Sequence, residues 1–209
     1  QGGAGMILQA LFNYYDRMKD DLPPEGFEEK GIPFLIIINH NGEFINLQDT
    51  RTQFGKKLIA RKFRVPKENA RSGKDAWQST NLLWDHYGYV LEHPKSDTDK
   101  DKKMAKRQHG TFIDQVQTLV ALFPENLDLQ AIKSFYAGEH HKKVFEHPFW
   151  QDCQKINGCN LSFQIDGKMQ LICQNENVCD YVSNNIGAKL NDDDDNPDLR
   201  EIEGICMIT

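Results

Sequence analysis

No apolar run in the chain is long enough to cross a bilayer. The longest, Pro33–Ile38, is of strand length, far below the roughly 20 residues that a helical span needs. The N-terminus lacks the basic-then-apolar pattern of a secretory signal. Also absent are the phosphate-cradling G-x-x-x-x-G-K-[S/T], the dinucleotide fingerprint G-x-G-x-x-G, the zinc-protease H-E-x-x-H and the nucleophile elbow G-x-S-x-G. There is no C-x-x-C. The five cysteines (Cys153, Cys159, Cys173, Cys179 and Cys206) are odd in number and form two C-x5-C pairs. Without a signal peptide or zinc spacing they are expected to be reduced thiols in the cytoplasm.

What is present describes an ordinary globular chain. Its 209 residues, 39% hydrophobic and 27% charged, suffice for one domain with a real core. The formal net charge of −6 gives no overall attraction to polyanions. One segment reverses that balance. Between Arg51 and Lys74 stand nine basic residues against Glu68 alone, a local charge of +8. A block this dense repels itself when folded, so it points to a polyanionic partner. Its C-terminal half and the residues after it add Ser72, Trp77, Gln78, Ser79, Asn81 and Trp84. Such groups read or open bases, whereas phosphate binding needs only charge. The alternative is a solvated strand face followed by a polar loop.

Periodicity predicts an amphipathic helix over Met6–Lys19, broken by Leu22-Pro23-Pro24-Glu25-Gly26. Pro33–Asn39 and Glu43–Gln48 flank Asn41-Gly42, a two-residue hairpin signal. Lys57–Val65 reads as a third strand ended by Pro66, Lys67–Ser79 as a loop, and His93–Lys103 as a second, solvated loop. Phe112 to Phe123 marks a long helix, and a shorter one follows with Asp128 as its N-cap. Leu161, Phe163 and Ile165, then Asp166-Gly167, then Met169 and Leu171 predict a second hairpin. A last helix over Val178–Ile186 should end near Gly187, with acidic Asn191–Glu203 as a linker. Hairpins mixed with segregated helices make the fold class α+β, a small antiparallel sheet with packed helices. Trp84 and Tyr87 are expected in the core beside Leu82 and Leu83. Residues 1–5 read as a cloning remnant, and the apolar run that ends at Thr209 reads as a strand cut short, so the chain is expected to be an N-terminal fragment.

Catalytic chemistry has no positive support in these residues. Glu139-His140-His141 and Glu146-His147 form the most metal-like cluster. Adjacent histidines on a helix point about 100° apart, however, and make a poor ligand pair. Asp166 is explained by its turn. No cofactor and no metal are expected, and the chain is expected not to be an enzyme.

Several separated blocks resemble one family. "MILQALFNYYDRM" at Met6–Met18, "GKKLIARKFRVP" at Gly55–Pro66, "ARSGKDAWQSTNLLWDHYGYVL" at Ala70–Leu91, "LSFQIDGKMQLICQN" at Leu161–Asn175 and the terminal "CMIT" are similar to the N-terminal region of the large subunit of the type I-C CRISPR surveillance complex (Cascade). The resemblance implies that residues 6–209 are the N-terminal DNA-recognition domain of a longer subunit. It also implies a duty in antiviral defence: recognising the protospacer-adjacent motif in double-stranded DNA and helping to open the duplex for guide-RNA pairing. The implied partners are that DNA, the crRNA-containing Cascade subunits and a recruited helicase-nuclease that does the cutting. A phage-encoded anti-CRISPR protein is a further candidate, and no membrane is involved.

On this reading Lys56, Lys57, Arg61, Lys62, Lys67 and Lys74 hold the DNA backbone. Arg71, Ser72, Gly73, Trp77, Gln78 and Asn81 read the motif or wedge its bases apart. Two alternatives stay open: Arg51 and Arg64 contact DNA or pair with Asp49 or another acid, and Asp192–Asp195 is a solvated loop or meets a basic surface. The rival reading is an assembly module that holds the crRNA 5′ end and neighbouring subunits without reading DNA. A metal nuclease built on His140, His141 and an Asp is the third.

Overall fold

The computed structural model describes residues 23–194, with side chains to Asn185. The expected Met6–Lys19 helix, the terminal strand, Cys206 and the side chains of Asp192–Asp195 lie outside that range. The described strands are β1 (Phe27–Gly31), β2 (Phe34–Ile38), β3 (Phe44–Asp49), β4 (Thr52–Phe54), β5 (Lys57–Ile59), β6 (Lys62–Pro66), β7 (Trp84–His86) and β8 (Asn160–Ile165). The α-helices are α1 (Tyr87–Leu91), α2 (Asp99–Leu122), α3 (Leu127–Ala137), α4 (Trp150–Lys155) and α5 (Glu176–Asp194).

All five residues of β2 are buried, which requires cover on both faces and partners on both edges. The partners are β3, antiparallel, and β8, parallel, with β7 antiparallel to β8, so the order is β3-β2-β8-β7. Fully burying each Ile or Phe of β2 contributes about 1.5–3 kcal/mol. On one face Phe163 meets Phe112 of α2 and Phe135 of α3, with ring centroids 6.4 and 5.6 Å apart. A separate ribbon pairs β1 with β6 and is tied to the sheet by the indole of buried Trp84, which donates to the Pro66 carbonyl at 2.9 Å. Trp84 and Tyr87 are core residues, as expected, and the class is α+β with small antiparallel sheets and packed helices.

Several local expectations are corrected. The β2–β3 turn holds three residues, not two. Asn39 N–H bonds the Glu43 carbonyl at 3.1 Å, and Gly42 takes φ +81° between them. A Cβ on Gly42 would lie 2.5 Å from backbone atoms of Ala131 and Phe135, so α3 also demands glycine there. The single strand expected over Lys57–Val65 is two strands. β5 folds back on β4 and β6 pairs with β1; neither partner was anticipated.

The second hairpin does not form as a ladder. β2 and β7 already occupy the edges of β8, which leaves one bridge, Gln164 to Leu171, and exposes Met169. The solvated loop ends early, because Thr98 caps α2 by accepting from Asp101 N–H and Asp99 and Asp101 suit the helix dipole. The cap of α3 is Asn126, whose side chain accepts from both Asp128 and Leu129 N–H at 3.1 Å. Asp128 instead pairs with Lys168 at 2.7 Å. The final helix runs through Gly187 to Asp194, so part of the expected linker is helical.

Candidate nucleic-acid interface

Alternation along β6 divides the basic block. Phe63 and Val65 point into the core while Lys62 and Arg64 face solvent. Lys56 and Lys57 sit at the tip of the β4–β5 hairpin, Lys67 follows β6, and Lys74 tops the next loop; all are exposed. Arg61 is exposed as well, its guanidinium 4.9 Å from the centre of the Phe63 ring. Among the described residues none of Lys56, Lys57, Arg61, Lys62, Lys67 and Lys74 has a salt-bridge partner.

The nearby acids are used elsewhere or compete locally. Asp49 is forked by Arg51 at 2.8 and 2.7 Å, which answers the question left open for Arg51. Burial alone would raise the Asp49 carboxyl, but hydrogen bonds from Arg51 hold it below its ordinary value. Glu68 pairs with Lys30. Glu29 of β1 stands directly across from Arg64, so Arg64 is the least free of the outward-facing cations on β6.

The loop Ala70–Asn81 is pinned at both ends. Arg71 forks Asp85, which is 1% exposed, and lies 4.4 Å from the centre of the Tyr89 ring. Asp85 also accepts from Asn81 N–H at 2.9 Å, Thr80 Oγ1 at 3.1 Å and His86 N–H at 2.8 Å. Asn81 is 1% exposed, and its side-chain oxygen accepts from Asn69 N–H at 2.9 Å. Arg71 and Asn81, two of the expected base readers, are thus engaged in bonds that hold the loop together. Ser72, Gly73, Lys74 and Gln78 remain exposed, with acidic Asp75 beside Lys74. Gly73 takes φ +70° with nothing within 4 Å of a would-be Cβ, so its surroundings are open. Trp77 is half-buried in the short 3-10 turn Ala76–Gln78, with the Arg107 guanidinium 5.5 Å from its ring centre.

Two features of this surface escaped the sequence reading. Lys100, Lys103, Lys106 and Arg107 lie on α2, inside or just after the segment taken for a solvated loop, and Arg107 joins them to the Trp77 turn. Their i, i+3, i+4 spacing was the available signal, masked by Asp97, Asp99 and Asp101 among them. The second feature is the β4–β5 hairpin, which exposes Phe54 at 75%, Leu58 at 53% and Ile59 at 50% between basic neighbours.

At the base of the loop His86 caps α1, its Nδ1 accepting from Gly88 N–H at 3.1 Å. Burial lowers its pKa, and burial likewise lowers those of His93, His141 and His147. A histidine with a folded pKa below its unfolded value binds more protons when unfolded, so stability falls as pH drops through the unfolded value near 6.5. The melting temperature should therefore fall between about pH 7.5 and about pH 5.5, and less so for His86→Gln. A flat profile over that window would show that these rings titrate freely in the folded protein.

Among the described residues no group of three or more His, Cys, Asp or Glu side chains is arranged to hold a metal ion. No described helix is long and apolar enough to cross a membrane. Cys153, Cys159, Cys173 and Cys179 are free thiols. Burial pushes the Cys173 thiol up to about 12, which makes it a poor nucleophile.

A search of curated proteins finds no significant match. The model of the Cas_Csd1 family, described as a CRISPR-associated protein, matches residues 11–209. With nearly its whole length matched, the chain belongs to the Cas_Csd1 family of CRISPR-associated proteins.

Proposed function

We propose that the chain is the N-terminal DNA-recognition region of the large subunit of a type I-C CRISPR surveillance complex. It holds double-stranded DNA beside the protospacer-adjacent motif, reads that motif through the Ala70–Asn81 loop, and helps to open the duplex for guide-RNA pairing. The observation that carries this reading is the set of six exposed cations, Lys56, Lys57, Arg61, Lys62, Lys67 and Lys74, left unpaired among the described residues. Charge left free in a protein of net −6 is a surface awaiting a polyanion. The exposed apolar residues of the β4–β5 hairpin have the chemistry of a wedge between base steps. Cutting is assigned to the recruited helicase-nuclease, and this chain is non-catalytic.

The test is duplex binding as a function of salt, with and without the motif. Neutralising about 4–6 phosphates gives a slope of log K on log salt near −4 to −5. Replacing Lys56, Lys57, Arg61 and Lys62 by Ala should lower affinity for all sequences alike and flatten that slope. Affinity independent of salt, or unchanged in the quadruple variant, would remove the reading. The same DNA incubated with Mg²⁺ or Mn²⁺ should stay intact. Cleavage lost on His141→Ala would restore the nuclease alternative.

The same hairpin favours a second reading. Phe54 and Leu58 lie on opposite faces of a two-stranded ribbon with no sheet behind it, and such ribbons are marginal alone in water. Docking into a neighbouring subunit would cover them, as an assembly module requires. In that case Phe54→Ser with Leu58→Ser would lower the yield of assembled complex and leave duplex affinity per complex unchanged.

A further inference from the structure

Glycine is second only to proline in weakening a helix interior, yet Gly110 stands in the middle of the 24-residue α2. Nothing in the fold requires it, since a Cβ there would meet no atom within 4 Å. The inward stripe of α2 is Ala105, His109, Phe112, Val116 and Leu119, all buried. Gly110 is on the exposed side. Lys103, Lys106 and Arg107 precede it by seven, four and three residues, which places all three over the same face of the helix. Lys100 extends the row by another turn.

Lys102 is paired with Asp97 at 2.6 Å, and Asp101 accepts from Ser96 at 2.6 Å. Asp99 sits in the first turn, where it suits the dipole, and Asp114 lies one turn beyond Gly110 and bounds the row. Among the described residues Lys100, Lys103, Lys106 and Arg107 have no salt-bridge partner. The helix is also tied to the Ala70–Asn81 loop. Arg107 lies over Trp77, and the Gln115 amide donates to the Thr80 carbonyl at 3.4 Å.

We propose that the outward face of α2 grips the sugar–phosphate backbone of the bound DNA beyond the segment held by the Ala70–Asn81 loop, with Gly110 leaving room for the backbone to come close. This rests on the DNA-recognition reading above. The helix rises about 1.5 Å per residue, so Lys100 to Arg107 covers about 10 Å. That span matches about three phosphates of one strand at 3.4 Å of axial rise each. A fixed row of cations with a bare backbone beside it suits a fixed row of phosphates better than it suits a mobile solvent shell.

The test uses the full guide-RNA complex with two targets that both carry the motif, one with a long flanking duplex and one trimmed at the motif. Wild type should bind the trimmed target about tenfold more weakly at moderate salt. Lys100→Ala with Lys103→Ala and Lys106→Ala should bind the two targets equally and lower the salt slope by about 3. Gly110→Ala separates recognition from folding, because it should raise the melting temperature and still weaken binding to the long target.

A triple variant that still distinguishes the two targets, or a Gly110→Ala variant that gains stability at unchanged affinity, overturns the proposal. So does loss of guide-RNA loading in the triple variant, which would make the RNA the occupant. If wild type binds neither target more tightly than a matched duplex lacking the motif, the DNA-recognition reading itself has failed, a result distinct from these.

Discussion

Arg71→Ala should destabilise the protein by about 3–5 kcal/mol, the usual cost of removing one partner from a buried ion pair. Asp85 is 1% exposed, and without the guanidinium only neutral donors remain to it: Asn81 N–H, His86 N–H and the Thr80 hydroxyl. The packing of Arg71 over the Tyr89 ring is lost in the same step. Urea denaturation of the variant measures the loss. Arg71→Lys should recover only part of it, since an ammonium cannot fork both carboxylate oxygens. Asp85→Asn in the Arg71→Ala background removes the orphaned charge, so the double variant should be more stable than the sum of the two single losses implies. A free, base-reading Arg71 gives the opposite pattern: unchanged stability and lost motif preference.

That residue shows where sequence reasoning stops. Arg71 and its acceptor are 14 positions apart, and no local pattern distinguishes an arginine aimed at DNA from one feeding a buried carboxylate. The Asn81 tie was hidden for the same reason, its partner Asn69 lying across the loop. The alternation Lys62, Phe63, Arg64, Val65 was readable because burial writes a period of two into a strand. The Phe112 to Leu119 stripe of α2 was readable by its helical period.

β4 left no such trace, since all three of its residues are exposed and no burial pattern marks it. β1 is five half-buried or exposed residues directly after a proline-rich break. The parallel pairing of β8 with β2 joins segments more than 120 residues apart, a link that neither strand's composition encodes. The apolar strands and helix faces were therefore visible in advance. The loop's internal ties and the cationic face of α2 needed the third dimension.

With Arg71 and Asn81 bonded within the loop, motif preference should rest on Ser72, Gly73 and Gln78 of the exposed arc. The two ends of the loop are fixed by Arg71–Asp85 and Asn81–Asn69, so the arc between them is presented on a stiff frame. A stiff frame lets a contact discriminate without first being ordered. Gly73 holds φ +70° in open space, a conformation that a residue with a Cβ adopts only at a cost, and its bare backbone can approach a groove closely. An amide such as Gln78 discriminates between bases by about 1–3 kcal/mol, whereas a phosphate contact such as that expected of Lys74 discriminates by almost nothing.

In the full complex, Gly73→Val, Ser72→Ala and Gln78→Ala should therefore flatten the preference across a library of flanking trinucleotides by about 5- to 150-fold. Guide-RNA assembly should be unchanged in all three, and thermal stability in Ser72→Ala and Gln78→Ala, while Gly73→Val should cost about 1–2 kcal/mol for its positive φ. Lys74→Ala should weaken every member of the library equally. Asn81→Ala serves as the control, because it should lower stability first and change preference only as the loop loosens. If the first three variants keep the wild-type ranking of trinucleotides, the reader lies elsewhere on the subunit, and this loop is a polar connection between β6 and β7.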